Sequence, residues 1–154
     1  MSKIYSFKTV QDIPIPLDQA WEFFSNPSNL QTITPDDMNF TIISKFQSDK
    51  MYAGQVIEYS VKPFPGFSMY WMTEITRVSE KNYFIDEQRS GPYSLWHHQH
   101  HFKTIEGGVE MTDIIHYKIP FWILGDFANW LFVKSKLKKI FNYRANKIQE
   151  LFRV

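Results

Sequence analysis

The chain has 154 residues, 21% of them charged and 44% hydrophobic, with a formal net charge of +1 and no cysteine. That length suits one core rather than two, so a single domain over residues 1–154 is expected. A near-neutral balance gives no field to gather nucleic acid, and the missing cysteines exclude disulfides, thiolate catalysis and zinc–thiolate centres.

Residues 3–15 are β-rich and run into Pro14 and Pro16, which predicts a first strand. Over 17–25, Leu17, Ala20, Trp21 and Phe24 fall at helical spacing before the stop Asn26-Pro27, so a short amphipathic helix follows. A second short helical turn is expected over 29–35. Turn signals then recur every 10 to 15 residues, and strands are predicted at 39–47, 54–62, 67–79, 83–90, 94–105 and 109–119. Short links between consecutive strands imply an antiparallel meander. After Pro120, apolar residues at Phe127, Trp130, Leu131, Leu137, Ile140, Phe141, Ile148 and Leu151 predict one long amphipathic helix over 122–152. The stripe Trp130, Leu137, Phe141 and Ile148 should be its buried face.

The apolar stretch 119–133 is shorter than the roughly 20 residues that span a bilayer, and it contains Asp126 and Asn129. It is expected to pack in the core. The alternative is a transient membrane-surface contact over 122–139, where Trp122, Phe127, Trp130 and Phe132 precede Lys134, Lys136, Lys138 and Lys139. The N-terminal residues lack a signal-peptide hydrophobic region, so a cytoplasmic protein is expected. Oligomeric state is not legible.

This order of elements, together with the run Ile13-Pro14-Ile15-Pro16-Leu17-Asp18-Gln19-Ala20-Trp21-Glu22-Phe23-Phe24, resembles the START-like (SRPBCC) superfamily of helix-grip domains. The nearest likeness is to its bacterial polyketide cyclase, dehydrase and lipid-transport members. The blocks from Phe84 to Tyr93 and from Leu95 to His98 resemble a subgroup of these, as does Met111-Thr112-Asp113 with Tyr117, Ile119 and Pro120. The resemblance implies an α+β helix-grip fold: a curved antiparallel sheet of about seven strands around a long C-terminal helix, with two short helices after the first strand. It also implies a deep hydrophobic cavity between sheet and helix, binding a lipid, isoprenoid, quinone or polyketide.

Strand parity suggests what lines such a cavity. Four of the five histidines lie in Trp96-His97-His98-Gln99-His100-His101-Phe102. One face of that strand carries Trp96, His98, His100 and Phe102, the better candidates for burial; His97 and His101 should face solvent, as should His116. In the last strand the odd positions are the more apolar, so Asp113 and Tyr117 should point inward. Two-residue pairing at Glu106-Gly107 sets His100 opposite Asp113, His98 opposite Ile115 and Trp96 opposite Tyr117. Over 83–90 the pattern allows either Phe84, Asp86 and Gln88 or Tyr83, Ile85 and Glu87 to point inward; the first set is preferred because Glu87 and Arg89 are easily solvated on an outer face and because a three-residue loop at Gly91-Pro92-Tyr93 sets Asp86 opposite His98 and Gln88 opposite Trp96. Hydrogen bonds are therefore expected between His100 and Asp113 and between His98 and Asp86.

Two readings of the string Asp86, His98, His100 and Asp113 stay open. It satisfies itself as a buried network, or it serves a ligand, by holding a polar group or by moving a proton through His98, His100 and Asp113. Trp71, Trp96, Phe102, Tyr59 and Tyr117 would supply the apolar wall, with Gln88 beside the polar string. Arg144 is a candidate cavity charge if its helix face turns inward, although a solvated face is the more ordinary placement. His98, His100 and Asp113 could share a metal ion, but the set is unspecific and neither metal nor cofactor is expected. No phosphate loop, HExxH or Gly-x-Ser-x-Gly pattern occurs. Hydrophobic small-molecule binding is the leading expectation. A cyclase or dehydratase using a buried His/Asp pair is the first alternative, and a surface module with a collapsed cavity the second.

Overall fold

The computed structural model describes residues 3–64, 66–120 and 126–153. Strand β1 (Tyr5–Ile13) leads through Pro14 and Pro16 into helix α1 (Leu17–Phe24), and two 3-10 turns follow, Pro27–Leu30 and Asp36–Met38. The expected single turn over 29–35 is split because Pro27 and Pro35 each open a new start: Asn26 accepts from the Ser28 N–H before the first, and Pro35 precedes the second. Next come β2 (Thr41–Ile42), β3 (Val56–Phe64), β4 (Phe67–Ser79), β5 (Tyr83–Ser90), β6 (Leu95–Ile105) and β7 (Gly108–Lys118), and the chain closes with helix α2 (Asp126–Leu151).

The predicted strand over 39–47 shrinks to two residues for a local reason. Ser44 Oγ accepts the Glu58 N–H at 2.7 Å, while the Ile43 and Ser44 N–H groups both converge on the Glu58 carbonyl. A side chain thus takes the place of a ladder carbonyl and ends the pairing.

All seven strands form one antiparallel sheet in the order β1-β7-β6-β5-β4-β3-β2. The meander β2 to β7 is sequential; β1 is added at the far edge, pairing from Tyr5↔Tyr117 to Ile13↔Val109. Gly108 is needed at that join, because a Cβ there would collide with the Ile13 carbonyl oxygen. In β7 burial alternates strictly, with Val109, Met111, Asp113, Ile115 and Tyr117 inside, which is what one solvated and one covered face require.

Helix α2 covers the inner face. Its 26 residues extend about 39 Å at about 1.5 Å each. Leu137, Phe141 and Ile148 are buried at four- and seven-residue spacing, and Trp130 is half-buried and stacks on Tyr5 at 5.8 Å. Two glutamines fasten helix to strand: Gln11 Nε2 donates to the Ala145 carbonyl and Gln149 Nε2 to that of Asp12. No helix among the described residues is long and apolar enough to cross a membrane. Residues 121–125, including Trp122, lie outside the described residues.

Candidate functional site

Between the sheet and α2 lies a cavity of about 220 Å³. Its wall is aromatic: Trp71 meets Trp96 edge-on at 5.3 Å, Tyr93 packs on Trp96 at 4.8 Å, and Tyr59 stacks against Trp71. Met38, Phe132, Lys136 and Ile140 line both this cavity and an outer groove beside the Asp36–Met38 turn, so the groove forms its mouth.

One side of the wall is polar. The hairpins have the expected register, with Asp86↔His98, His100↔Asp113, His98↔Ile115 and Trp96↔Tyr117. His98, His100 and Asp113 are 5%, 7% and 5% exposed, which places three titratable groups in an apolar layer. The hydrogen bonds nevertheless run diagonally, correcting the expected pairs: His98 Nε2 lies 2.7 Å from Asp113 Oδ1, and His100 Nε2 lies 2.7 Å from Asp86 Oδ2. The cause is side-chain length. Directly opposed Cβ atoms are only about 5 Å apart, so the far nitrogen of each ring overshoots its opposite carboxylate and reaches the diagonal one. The near nitrogen is left facing the direct partner, His98 Nδ1 at 3.7 Å from Asp86 and His100 Nδ1 at 3.1 Å from Asp113. Neither is a hydrogen bond; the His100 contact fails on direction, leaving that nitrogen unsatisfied. The two rings are 3.7 Å apart, with Phe84 stacked on His100 at 4.1 Å and Phe141 edge-on to His98.

Burial works against the imidazolium of His100, but the two carboxylates it stands between, Asp113 in contact at 3.1 Å and Asp86 hydrogen-bonded at 2.7 Å, outweigh it and hold its pKa above the ordinary 6.5. For His98, burial and then the charge of His100 prevail over its own carboxylates, and its pKa falls. Burial opposes ionisation of Asp113 and Asp86 too, yet the imidazoles keep both below the ordinary carboxylate range. Arg144 from α2 faces this cluster. Burial weakens its charge, opposed by Asp113, Asp86 and Tyr59, and an arginine stays ionised under such pressure. With His98 neutral, the charges of Arg144 and His100 balance those of Asp86 and Asp113.

Of the residues predicted to line the cavity, Asp86, His98, His100, Trp71, Trp96 and Tyr59 are on its wall. Four are placed elsewhere among the described residues. Asp113 sits behind the imidazoles. Phe102 is in the core against Trp21 and Phe24, and Tyr117 is 1% exposed among Tyr5, Tyr93 and Trp96. Gln88 instead braces the hairpin turn, donating to the Tyr93 carbonyl and accepting its N–H, so pairing ends at Glu87↔His97 before Trp96 is reached. On the outer face His97 bonds Glu87 at 2.7 Å, and Gln99 links it to His101.

Donor atoms of Asp86, His98 and His100 lie within 4.8 Å of one another, close enough for a shared cation. A metal there would have to displace the 2.7 Å bond between His100 and Asp86. Thr73 was not anticipated. The signal was present, since Trp71, Thr73 and Ile75 share a face and Thr73 is the polar member. It is 4% exposed, and its hydroxyl accepts from Trp71 Nε1 at 3.1 Å.

Among solved structures, protein Ms6760 from Mycobacterium smegmatis superposes with a TM-score of 0.69 at 17% identity, covering 95% of this chain and 89% of that one. Major latex-like protein 151 from Panax ginseng gives 0.68 at 13% identity over 98% and 99%, and Ara h 8.0201 gives 0.63 at 14% over 96% and 99%. The fold is the helix grip. At these identities the likeness extends to the grip architecture and not to what is gripped. No family model matches the sequence, and no curated protein does.

Proposed function

We propose that the protein binds an apolar small molecule, of the lipid, isoprenoid, quinone or polyketide kind, in the cavity under α2, and carries or presents it. The supporting observation is the cavity itself. Native interiors are close-packed and voids cost stability, so an aromatic-walled space of about 220 Å³ argues for an occupant and against a collapsed interior serving only as a scaffold. Burying about 300 Å² of ligand would contribute about 7 kcal/mol before association costs, at about 25 cal/mol per Å². The Asp86, His98 and His100 patch would orient one polar end. Loading from a membrane surface fits the same proposal: Leu131 and Phe132 are 54% and 51% exposed, and Phe132 lines the mouth beside a lysine-bearing helix face.

Native mass spectrometry of protein purified from its own host tests this. A co-purifying apolar adduct at about one per chain is expected. Absence of saturable binding across lipids, quinones and aromatic polyketides would leave the surface module. A cyclase or dehydratase is favoured by one feature, the buried His98 on the cavity wall, kept neutral and therefore able to accept a proton, with Asp113 fixing its tautomer. Turnover of an aromatic polyketide that is lost in His98→Gln would establish it.

A further inference from the structure

Counting hydrogen-bond donors around the cavity narrows the ligand's polar end. Arg144 Nε is buried and has no hydrogen-bond partner among the described residues. Across the cavity, Thr73 Oγ1 takes the Trp71 indole N–H at 3.1 Å and shares one hydrogen bond with Tyr59 Oη at 3.3 Å. Tyr59 and Thr73 hold two hydroxyl hydrogens between them, and their single mutual bond uses one. Whichever of them donates, the other hydrogen is left over. Buried donors without partners are costly, so among the described residues the cavity presents at least two unmet donors, one from the helix and one from the sheet.

The acceptor oxygen nearest the imidazoles is already engaged: Asp86 Oδ2 takes His100 at 2.7 Å and also faces His98 at 3.7 Å. The two carboxylates already have counter-charges, since His100 stands between Asp86 and Asp113 at 2.7 and 3.1 Å and Arg144 faces both from the helix, and a further charge buried beside them would go uncompensated. We infer that the polar end of the ligand is an uncharged carbonyl-type acceptor, such as a ketone, quinone, ester or protonated acid, held by Arg144 and by the Tyr59–Thr73 hydroxyl pair. This rests on the ligand-binding reading above and names the ligand's chemistry at that site.

The test compares 1,4-naphthoquinone, naphthalene and 1-naphthylamine, which share a ring skeleton and differ in acceptors and donors; the chain has no cysteine for a quinone to alkylate. By titration calorimetry, the quinone should bind about 10-fold or more tightly than naphthalene, as expected for one or two added hydrogen bonds. Arg144→Met should bring that ratio to within about 3-fold. Tyr59→Phe and Thr73→Val must be combined to do the same from the sheet side, because either alone leaves one hydroxyl hydrogen. Reading a ratio within each variant removes effects on folding. Naphthalene or naphthylamine binding as tightly as the quinone, or a ratio untouched in both variants, would overturn the inference and leave hydrophobic binding intact. If none of the three binds while a fatty acid does, the inference is overturned and ligand binding stands; if lipids and aromatic polyketides fail as well, the ligand-binding reading fails and takes the inference with it.

Discussion

His98 and His100 are two residues apart on one strand, equally buried, and yet shifted in opposite directions. The difference lies in their neighbours: His100 has a carboxylate before each nitrogen, at 2.7 and 3.1 Å, whereas the second carboxylate of His98 stands off at 3.7 Å. One proton on the pair therefore settles on His100. Its pKa is raised, so the stability it contributes is fully present below the unfolded value near 6.5 and is lost as pH rises through the folded one. Asp86 and Asp113 are lowered, so theirs is present above the unfolded value near 3.8 and is lost as pH falls. His98, lowered, costs stability as pH drops below 6.5. Asp113→Asn removes the charge that serves both rings. The expected result is a fall in both ring pKa values in NMR titrations and a loss of about 1 to 3 kcal/mol in the melt at neutral pH. Ring titrations that match the parent protein would show that Asp113 does not govern the pair.

At the scale of elements, α2 is held by few residues, and each should matter. Leu137 is 3% exposed and packs with Phe141, Ile115 and Tyr117. Leu137→Ala should cost about 2 to 5 kcal/mol, read as a lowered melting temperature; an unchanged melt would mean that the helix is not gripped there. The buried stripe of α2 and the register of β5, β6 and β7 were legible because a period is a property of sequence: 2 in a strand, 3.6 in a helix, with Glu106-Gly107 fixing the phase. Three kinds of feature were not. The shortening of β2 depends on Ser44 reaching a backbone N–H across the sheet. Gln88 left the wall because the Gly91 turn needed bracing. The diagonal His–Asp bonds arise from ring length set against strand spacing, which pattern does not encode. Arg144 was ambiguous for a related reason: on a helix that also carries the exposed Lys134, Lys138 and Lys139, only the packed angle of the helix decides which cation turns inward.

In the whole molecule, the far-edge strand pairing and the long helix enclose a set of charges that sums to zero, and that sum makes a prediction about ligands that carry one. Titratable and charged groups reach the inner cavity from every side: Tyr59 on β3, Asp86 on β5, His98 and His100 on β6 and Arg144 on α2, with Asp113 on β7 behind; Lys136 stands apart at the mouth, where the charge of Asp37 acts on it. Arg144 and His100 offset the two aspartates while His98 is neutral. A fatty acid such as decanoate that carries its carboxylate past the mouth to the inner polar wall adds one negative charge with no counter-charge there, and His98 is the nearest group that can answer by taking a proton, since both of its nitrogens already face carboxylates. Entry as the neutral acid requires the same proton on the ligand. Either way about one proton should be taken up per decanoate at pH 8, and affinity should rise as pH falls toward the His98 range. 1,4-Naphthoquinone should bind with none. Calorimetric titrations in phosphate and in Tris, which differ in ionisation enthalpy, separate the two: the decanoate heat should shift between buffers by the equivalent of about one proton, while the quinone heat should not. Equal decanoate heats in both buffers would mean that the cavity accepts a bare anion, and that the charges around it are not balanced as the geometry of Arg144, His100, Asp86 and Asp113 requires.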